Sequence, residues 1–237
     1  MRPNRLRASL STSAKAFKDV SVQQIEAARY VVLRRLSPSL RHHLVRPLQP
    51  ITLIYGVMSH KLATAEPDLQ ALRSQADKIN EFAKDALAEC IDMVTWLAPE
   101  PGVLTELGTG VMECVGLLAT TLHFCGFRLV NEVGTPAVQL RRNALRMVLI
   151  AALLEVTDTL AECATLTLSA TVSKDEVTVS VQVSLTDEGR VERYDDGYRK
   201  LVWGDVQALA ASEDVSLSRK DGRVTMRFAI EPAAPVH

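Results

Sequence analysis

Two adjacent histidines followed by a proline are the residues of this chain best placed to do chemistry: His42-His43-Leu44-Val45-Arg46-Pro47-Leu48-Gln49-Pro50-Ile51. An exposed neutral imidazole is a nucleophile at neutral pH, so solvent exposure decides which of the two can act. Leu40, Leu44, Leu48, Ile51, Tyr55, Met58 and Leu62 recur at steps of three or four, the spacing of one apolar helical stripe. At roughly 100° per residue His42 falls opposite that stripe, with Arg46 and Gln49 beside it, and His43 falls on the flank. His60 shares the exposed face but lacks the arginine one turn on and the nearby proline, so an ordinary surface role is expected for it. Pro47 and Pro50 each cost an interior helix roughly 3 kcal/mol, and a helix that keeps both calls for a reason.

The elements that hold these residues are legible in their periodicity. Ser37 is expected to cap, and Pro38 to open, a helix over 37–63. A turn at 64–67 leads to a second helix from about Asp68 to Leu97, with Leu69, Leu72, Ala76, Ile79, Ala83, Ala86, Leu87, Cys90, Val94 and Leu97 in helical period. Two long helices joined by a short loop make an antiparallel hairpin. Its apolar surface is wider than its own helices cover, so pairing with a second copy into a four-helix bundle is expected. The stretch from about Val22 to Leu36 is helical in period as well and is expected to cap or extend the bundle.

Pro99-Glu100-Pro101-Gly102 ends this texture and marks a domain boundary. Beyond it the pattern predicts a short apolar strand or lead-in from Val103, a helix near Gly110–Cys125, and strands at Phe127–Val133 and Ala137–Leu140. A helix over Arg142–Leu160, strands at Ala164–Val172 and Glu176–Leu185, a helix near Gly204–Ser212, and a final pair at Val215–Arg219 and Val224–Ile230 turning at Asp221-Gly222 complete it. The fold class expected is α+β: a helical hairpin forming a dimeric four-helix bundle, then an α/β sandwich with a mixed sheet and helices on one face. The domains read as a flexible basic tail at 1–20, a helical domain at 21–98, and the sandwich at 103–232.

Composition bounds the partners. The chain has 237 residues, 47% hydrophobic content and a net charge of −1. No apolar run reaches the roughly 20 residues of a membrane span, and 1–20 lacks the apolar centre of a signal peptide, so a soluble cytoplasmic protein with no membrane partner is expected. Residues 1–46 carry a balance of +8, but no nucleic-acid recognition motif accompanies it. Arg34, Arg35, Arg41 and Arg46 crowd His42 and could attract an acidic protein. Cys90, Cys114, Cys125 and Cys163 stand at long intervals in apolar stretches, with no metal-ligand spacing, and read as buried free thiols.

The segment from His42 to Ile51 resembles the H-box of sensor histidine kinases, and the order of elements over about 37–230 resembles their dimerisation hairpin followed by the catalytic ATP-binding domain. The resemblance implies that His42 is the phosphoacceptor; Arg46, one turn along, could by its own charge offset that of a phosphoryl group. It departs from the family in several places. His43 stands where kinases place the acid that acts as base, and Arg46 where phosphatase-competent kinases carry Thr or Asn. Over 145–160, Ala151 and Glu155 stand where two asparagines are usual, the second being the Mg²⁺ ligand. Asp187-Glu188-Gly189 is the only candidate for the glycine box, with Val191 in place of its second glycine; it and Asp195-Asp196-Gly197 read as turns. The lid and its glycine pair are missing from RVERYDDGYRKLVW (190–203).

These departures shift the resemblance to histidine phosphotransferases built on a degenerate kinase scaffold. That likeness implies a relay: His42 takes a phosphoryl group from the aspartate of a response-regulator receiver and passes it to another. No cofactor is expected on this chain, Mg²⁺ being held by the receiver. Arg41 and Gln49, in the neighbourhood of His42, and Leu53, Gly56 and Val57, on the His42 side of the helix below it, are the expected receiver contacts, although Leu53, Gly56 and Val57 could instead pack on the chain's own second helix or domain. A non-catalytic pseudokinase that binds a sensor kinase or a receiver is the alternative, and an ATP-dependent kinase the third reading.

Overall fold

A computed structural model describes residues 22–64, 66–191 and 199–232. The described residues form two compact units: one within Leu36–Glu100, and a second made of 22–35 together with those from Pro101 onward. The fold is α+β, a helical hairpin followed by a mixed sheet with helices.

The hairpin is formed by α1 (Val22–Leu62) and α2 (Leu69–Leu97). Helix α1 runs unbroken for 41 residues with Pro38, Pro47 and Pro50 inside it. Ser37 and Pro38, expected to begin the helix, therefore lie in its interior. Tertiary contact overrides the local proline penalty: upstream, Ala28, Val31 and Val32 are buried, and Arg35 grips Asp158 through two hydrogen bonds of 2.9 and 3.0 Å. Those contacts belong to the second unit, so 22–35 does not extend the bundle as expected but joins the C-terminal fold. Helix α2 begins one residue after the expected Asp68, which caps it: the Asp68 carboxylate accepts from the Gln70 and Ala71 backbone N–H groups at 3.0 Å.

The C-terminal unit begins with β1 (Leu104–Glu106), α3 (Leu107–Phe124), β2 (Phe127–Asn131), β3 (Gln139–Arg141) and α4 (Arg142–Thr159). It continues with β4 (Glu162–Val172), β5 (Glu176–Arg190), α5 (Trp203–Ser212), β6 (Ser216–Lys220) and β7 (Arg223–Ala229). The sheet order is β2-β4-β5-β7-β6, with β2 parallel to β4 and every other neighbour antiparallel. Strands β1 and β3 fall near the segments expected from Val103 and at Ala137–Leu140, but they form an antiparallel pair separate from the main sheet, which the sequence pattern does not reveal.

Period-two alternation decides which face of the sheet is covered. Leu166, Leu168, Val177, Val179, Val181, Val224, Met226 and Phe228 are buried, while Thr165, Thr167, Thr178 and Thr225 between them stay half-exposed. Helix α4 is buried all along 144–157, the mark of a central core helix. Helix α3 is long and apolar enough to cross a membrane by length and composition alone, yet Leu107, Val111, Cys114, Leu118 and Leu122 are buried in this unit. Its Glu113 binds Arg146 at 2.8 Å and Arg142 at 3.1 Å. Two turns carry the chain through positive φ: Gly126, where a Cβ would meet the Cys163 sulfur at 2.5 Å, and Asp221-Gly222 at 50° and 70°, the two-residue hairpin that this dipeptide predicts.

Strand β5 runs through Asp187-Glu188-Gly189, so this triplet is not the turn expected of it. Gly189 instead takes φ +104° near a register shift between β4 and β5, where only glycine follows without strain. Asp195-Asp196-Gly197 lie outside the described residues. Of the four cysteines expected to be buried, Cys114 and Cys163 are and Cys125 is half-buried, but Cys90 is exposed, because it lies on an uncovered face of α2. Burial, with Glu113 beside it, pushes the Cys114 thiol up to about 12, so it stays protonated.

Candidate functional site

His42 lies on the uncovered side of α1 and is exposed, as helical phase requires. His43, one residue on, turns toward α2: its Nδ1 is 3.6 Å from the Glu89 carboxylate, and the side chain is less than a third exposed. The two rings stand at 81° with centroids 6.4 Å apart, so they point into different surroundings. One imidazole is open to an incoming group, and the other is engaged with the hairpin.

Arg46, one turn beyond His42, also reaches Glu89, at 3.7 Å, while its side chain remains 67% exposed. Glu89 thus collects His43 and Arg46 from α1, a role with no signal in the sequence because the three residues meet only when the hairpin closes. The guanidinium stays at the surface beside His42, with its charge partly answered by Glu89. A pair this exposed contributes little to stability.

Of the remaining candidates, Gln49, Leu53, Gly56 and Val57 share that side of the helix, and Arg41 lies on its flank. Arg41 and Gln49 are exposed, Leu53 is 71% exposed, Gly56 is exposed and Val57 is 48% exposed. Helix α2 does not cover them, so packing on the chain's own second helix does not account for apolar residues there. Below His42 the surface therefore runs from polar to apolar along about four turns. Each helix also carries uncovered apolar residues at helical spacing: Leu48, Tyr55 and Leu62 at seven-residue intervals on α1, and Leu87, Ile91, Val94 and Leu97 on α2. The single apolar stripe expected on α1 is thus divided: Leu40, Leu44, Ile51 and Met58 are buried or half-buried, whereas Leu48, Tyr55 and Leu62 are not.

In the second unit the positions aligned with the nucleotide machinery do not fit a metal–nucleotide complex. Ala151 is fully buried and offers no ligand. Glu155 is 1% exposed, and its carboxylate is taken by Arg219, which donates to Oε1 at 3.1 Å and to Oε2. Val191 is half-buried, its N–H donating to the Ala161 carbonyl at 3.3 Å, so that amide is not available to a phosphate. Among the described residues no group of three or more His, Cys, Asp or Glu stands together as metal ligands.

No family model and no curated protein matches the sequence. Among solved structures, the Acinetobacter baumannii histidine kinase AdeS is 16% identical, over 78% of this chain and 96% of its own, with a TM-score of 0.41. A bacterial phosphotransferase is 14% identical over 88% of this chain and 97% of its own, with a TM-score of 0.37. The histidine kinase ThkA, in complex with the response regulator TrrA, is 15% identical over 90% of this chain and 67% of its own, with a TM-score of 0.40. At TM-scores this low the likeness carries no functional weight, which falls on the chain's own residues.

Proposed function

We propose that this chain is a cytoplasmic histidine phosphotransferase of a phosphorelay, acting as a homodimer between response-regulator receiver domains. The observation that supports it best is the division of labour between adjacent imidazoles: His42 is exposed above the uncovered Leu53, Gly56 and Val57, while His43 is turned to Glu89.

In the proposed transfer, the lone pair of one His42 ring nitrogen attacks the phosphorus of the receiver's aspartyl phosphate. The N–P bond forms as the P–O bond breaks, the electron pair leaves on the aspartate carboxylate, and the ring proton on the other nitrogen passes to water. Return of the phosphoryl group to a second receiver is the reverse. Mg²⁺, held on the receiver, supplies charge neutralisation at the phosphoryl oxygens. This chain contributes position: a rigid helix fixes the imidazole in line with the leaving oxygen, Arg46 lies one turn away to offset phosphoryl charge, and Leu53, Gly56 and Val57, with Arg41 and Gln49, supply a docking face. A glycine at 56 lets a partner helix approach the α1 backbone closely, and no neighbouring atom fills the space its Cβ would occupy.

The test is incubation of the purified chain with receivers phosphorylated by a small-molecule phosphodonor, followed by detection of acid-labile phosphate. His42→Ala is expected to abolish acceptance with little change in melting temperature, since an exposed side chain contributes little to stability. His43→Ala is expected to retain it. Acceptance by the His42 variant overturns the assignment, and failure of every receiver to phosphorylate the native chain favours a non-catalytic pseudokinase that regulates a kinase or a response regulator.

A further inference from the structure

Glu155 is a carboxylate in the wrong place for an ordinary surface residue. It lies on α4, where every residue from Ala144 to Thr157 is buried, and it is itself 1% exposed. An isolated charge there is strongly disfavoured unless a counter-charge and hydrogen bonds answer it. Arg219, from β6, does both with two donors on the two carboxylate oxygens. The same guanidinium lies over the Trp203 ring, its Cζ 4.1 Å from the ring centroid. Trp203 is the first residue of α5, so a core helix, an edge strand and a helix start converge on one ion pair.

We propose that Arg219 is a built-in cation for this site: where the kinase resemblance implies a divalent metal bound through Glu155, the chain supplies a guanidinium of its own, and the C-terminal unit neither requires nor admits a metal–nucleotide complex. The inference rests on the reading of 145–160 as the helix that bears the metal ligand, and it is independent of whether His42 accepts phosphate. Three features support it. The bidentate fork engages both carboxylate oxygens, leaving no oxygen free for a metal. Stacking on Trp203 orients the planar guanidinium, which an ammonium or a hydrated ion would not match. A metal entering at Glu155 would have to displace the arginine and leave two cations side by side at the edge of the core. Arg219 is 35% exposed, so it closes the carboxylate from the solvent side rather than sitting beneath it.

The experiment uses the full chain. Calorimetry with Mg-ATP and with Mn²⁺ alone is expected to give no saturable heat, and the melting temperature is expected to be the same in EDTA and in millimolar Mg²⁺. Arg219→Gln leaves Glu155 uncompensated and is expected to lower the melting temperature by many degrees, while Glu155→Gln/Arg219→Gln, which removes both charges, recovers most of the loss. Arg219→Lys, which keeps the charge but not the fork, is expected to fall between. Saturable Mn²⁺ or Mg-ATP binding by the native chain overturns the proposal. So does failure of the double variant to recover stability lost in, or folding prevented by, Arg219→Gln. Acceptance of phosphate at His42, measured on the same preparations, reports on the relay alone, so the two readings fail separately.

Discussion

The two units of this molecule treat apolar side chains in opposite ways. In the C-terminal unit the apolar residues of α4 and of one sheet face are buried within a single chain; in the hairpin Leu48, Tyr55, Leu62, Leu87, Ile91, Val94 and Leu97 are left in solvent. Scattered exposed leucines call for no explanation, but rows of apolar residues at helical spacing on both helices do. The contrast teaches that the C-terminal unit closes a core within one chain and leaves only separate apolar residues such as Met112, Phe124 and Leu185 exposed, whereas the hairpin leaves rows of them uncovered along both helices. The same contrast holds for charge. The C-terminal unit encloses Glu113 with Arg142 and Arg146, Glu155 with Arg219, and Asp158 with Arg35. The hairpin keeps His42, Arg41 and Arg46 at its surface.

The largest expected effect breaks the contrast at these rows. The native chain is expected to be a dimer by light scattering, and Leu48→Asp or Leu87→Asp to weaken that dimer on the order of 100-fold, shifting it to the monomer mass. Leu149→Ala, in the closed unit, is expected instead to cost roughly 3 kcal/mol of unfolding free energy with the dimer intact. A native monomer at micromolar concentration would erase the distinction between the units.

An effect of comparable size sharpens it along α1. Asp158 accepts both donors of Arg35 and the Leu201 backbone N–H at 3.0 Å, so Asp158→Ala is expected to lower stability by about 3 kcal/mol in urea unfolding. Because 22–35 belongs to the C-terminal unit, that loss is expected in the sheet-containing transition, with phosphoryl acceptance at His42 retained.

The smallest effect is a pH dependence. Burial raises the Glu213 carboxyl above its ordinary 4.5, with Asp214 adding to the rise and Arg29 and Arg141 opposing it. The folded state therefore holds this proton more tightly than the unfolded chain. The stabilisation it brings is full below 4.5 and is lost as pH rises through the raised folded value. Glu213→Gln is expected to flatten that part of the stability profile, a change read by melting temperature across the acid range. An unchanged slope would show that Arg29 and Arg141 cancel the burial.

Much of the fold is legible in the sequence because it rests on short-range signals. The Asp68 cap, the Asp221-Gly222 hairpin, the β-branched runs of β4 and β5 and the phase of His42 all follow from periodicity and turn chemistry over a few residues. Where the pattern misleads, distant partners are the cause. Ser37-Pro38 has the chemistry of a helix start because proline disfavours helix interiors, yet burial of Ala28, Val31 and Val32 and the Arg35–Asp158 pair carry the helix through it. Asp187-Glu188-Gly189 carries turn residues, yet pairing of Leu185 and Arg190 with β4 on either side of it carries the strand through as an irregularity.

The sequence by itself determined which imidazole faces outward and which residues share its side of the helix, because a helix converts spacing into direction. Only the tertiary structure decided that Glu89 gathers His43 and Arg46, that Arg219 answers Glu155 over Trp203, and that 22–35 belongs to the C-terminal unit. Each of these joins residues tens of positions apart or more, and a buried charge's partner is chosen by where the chain returns in space.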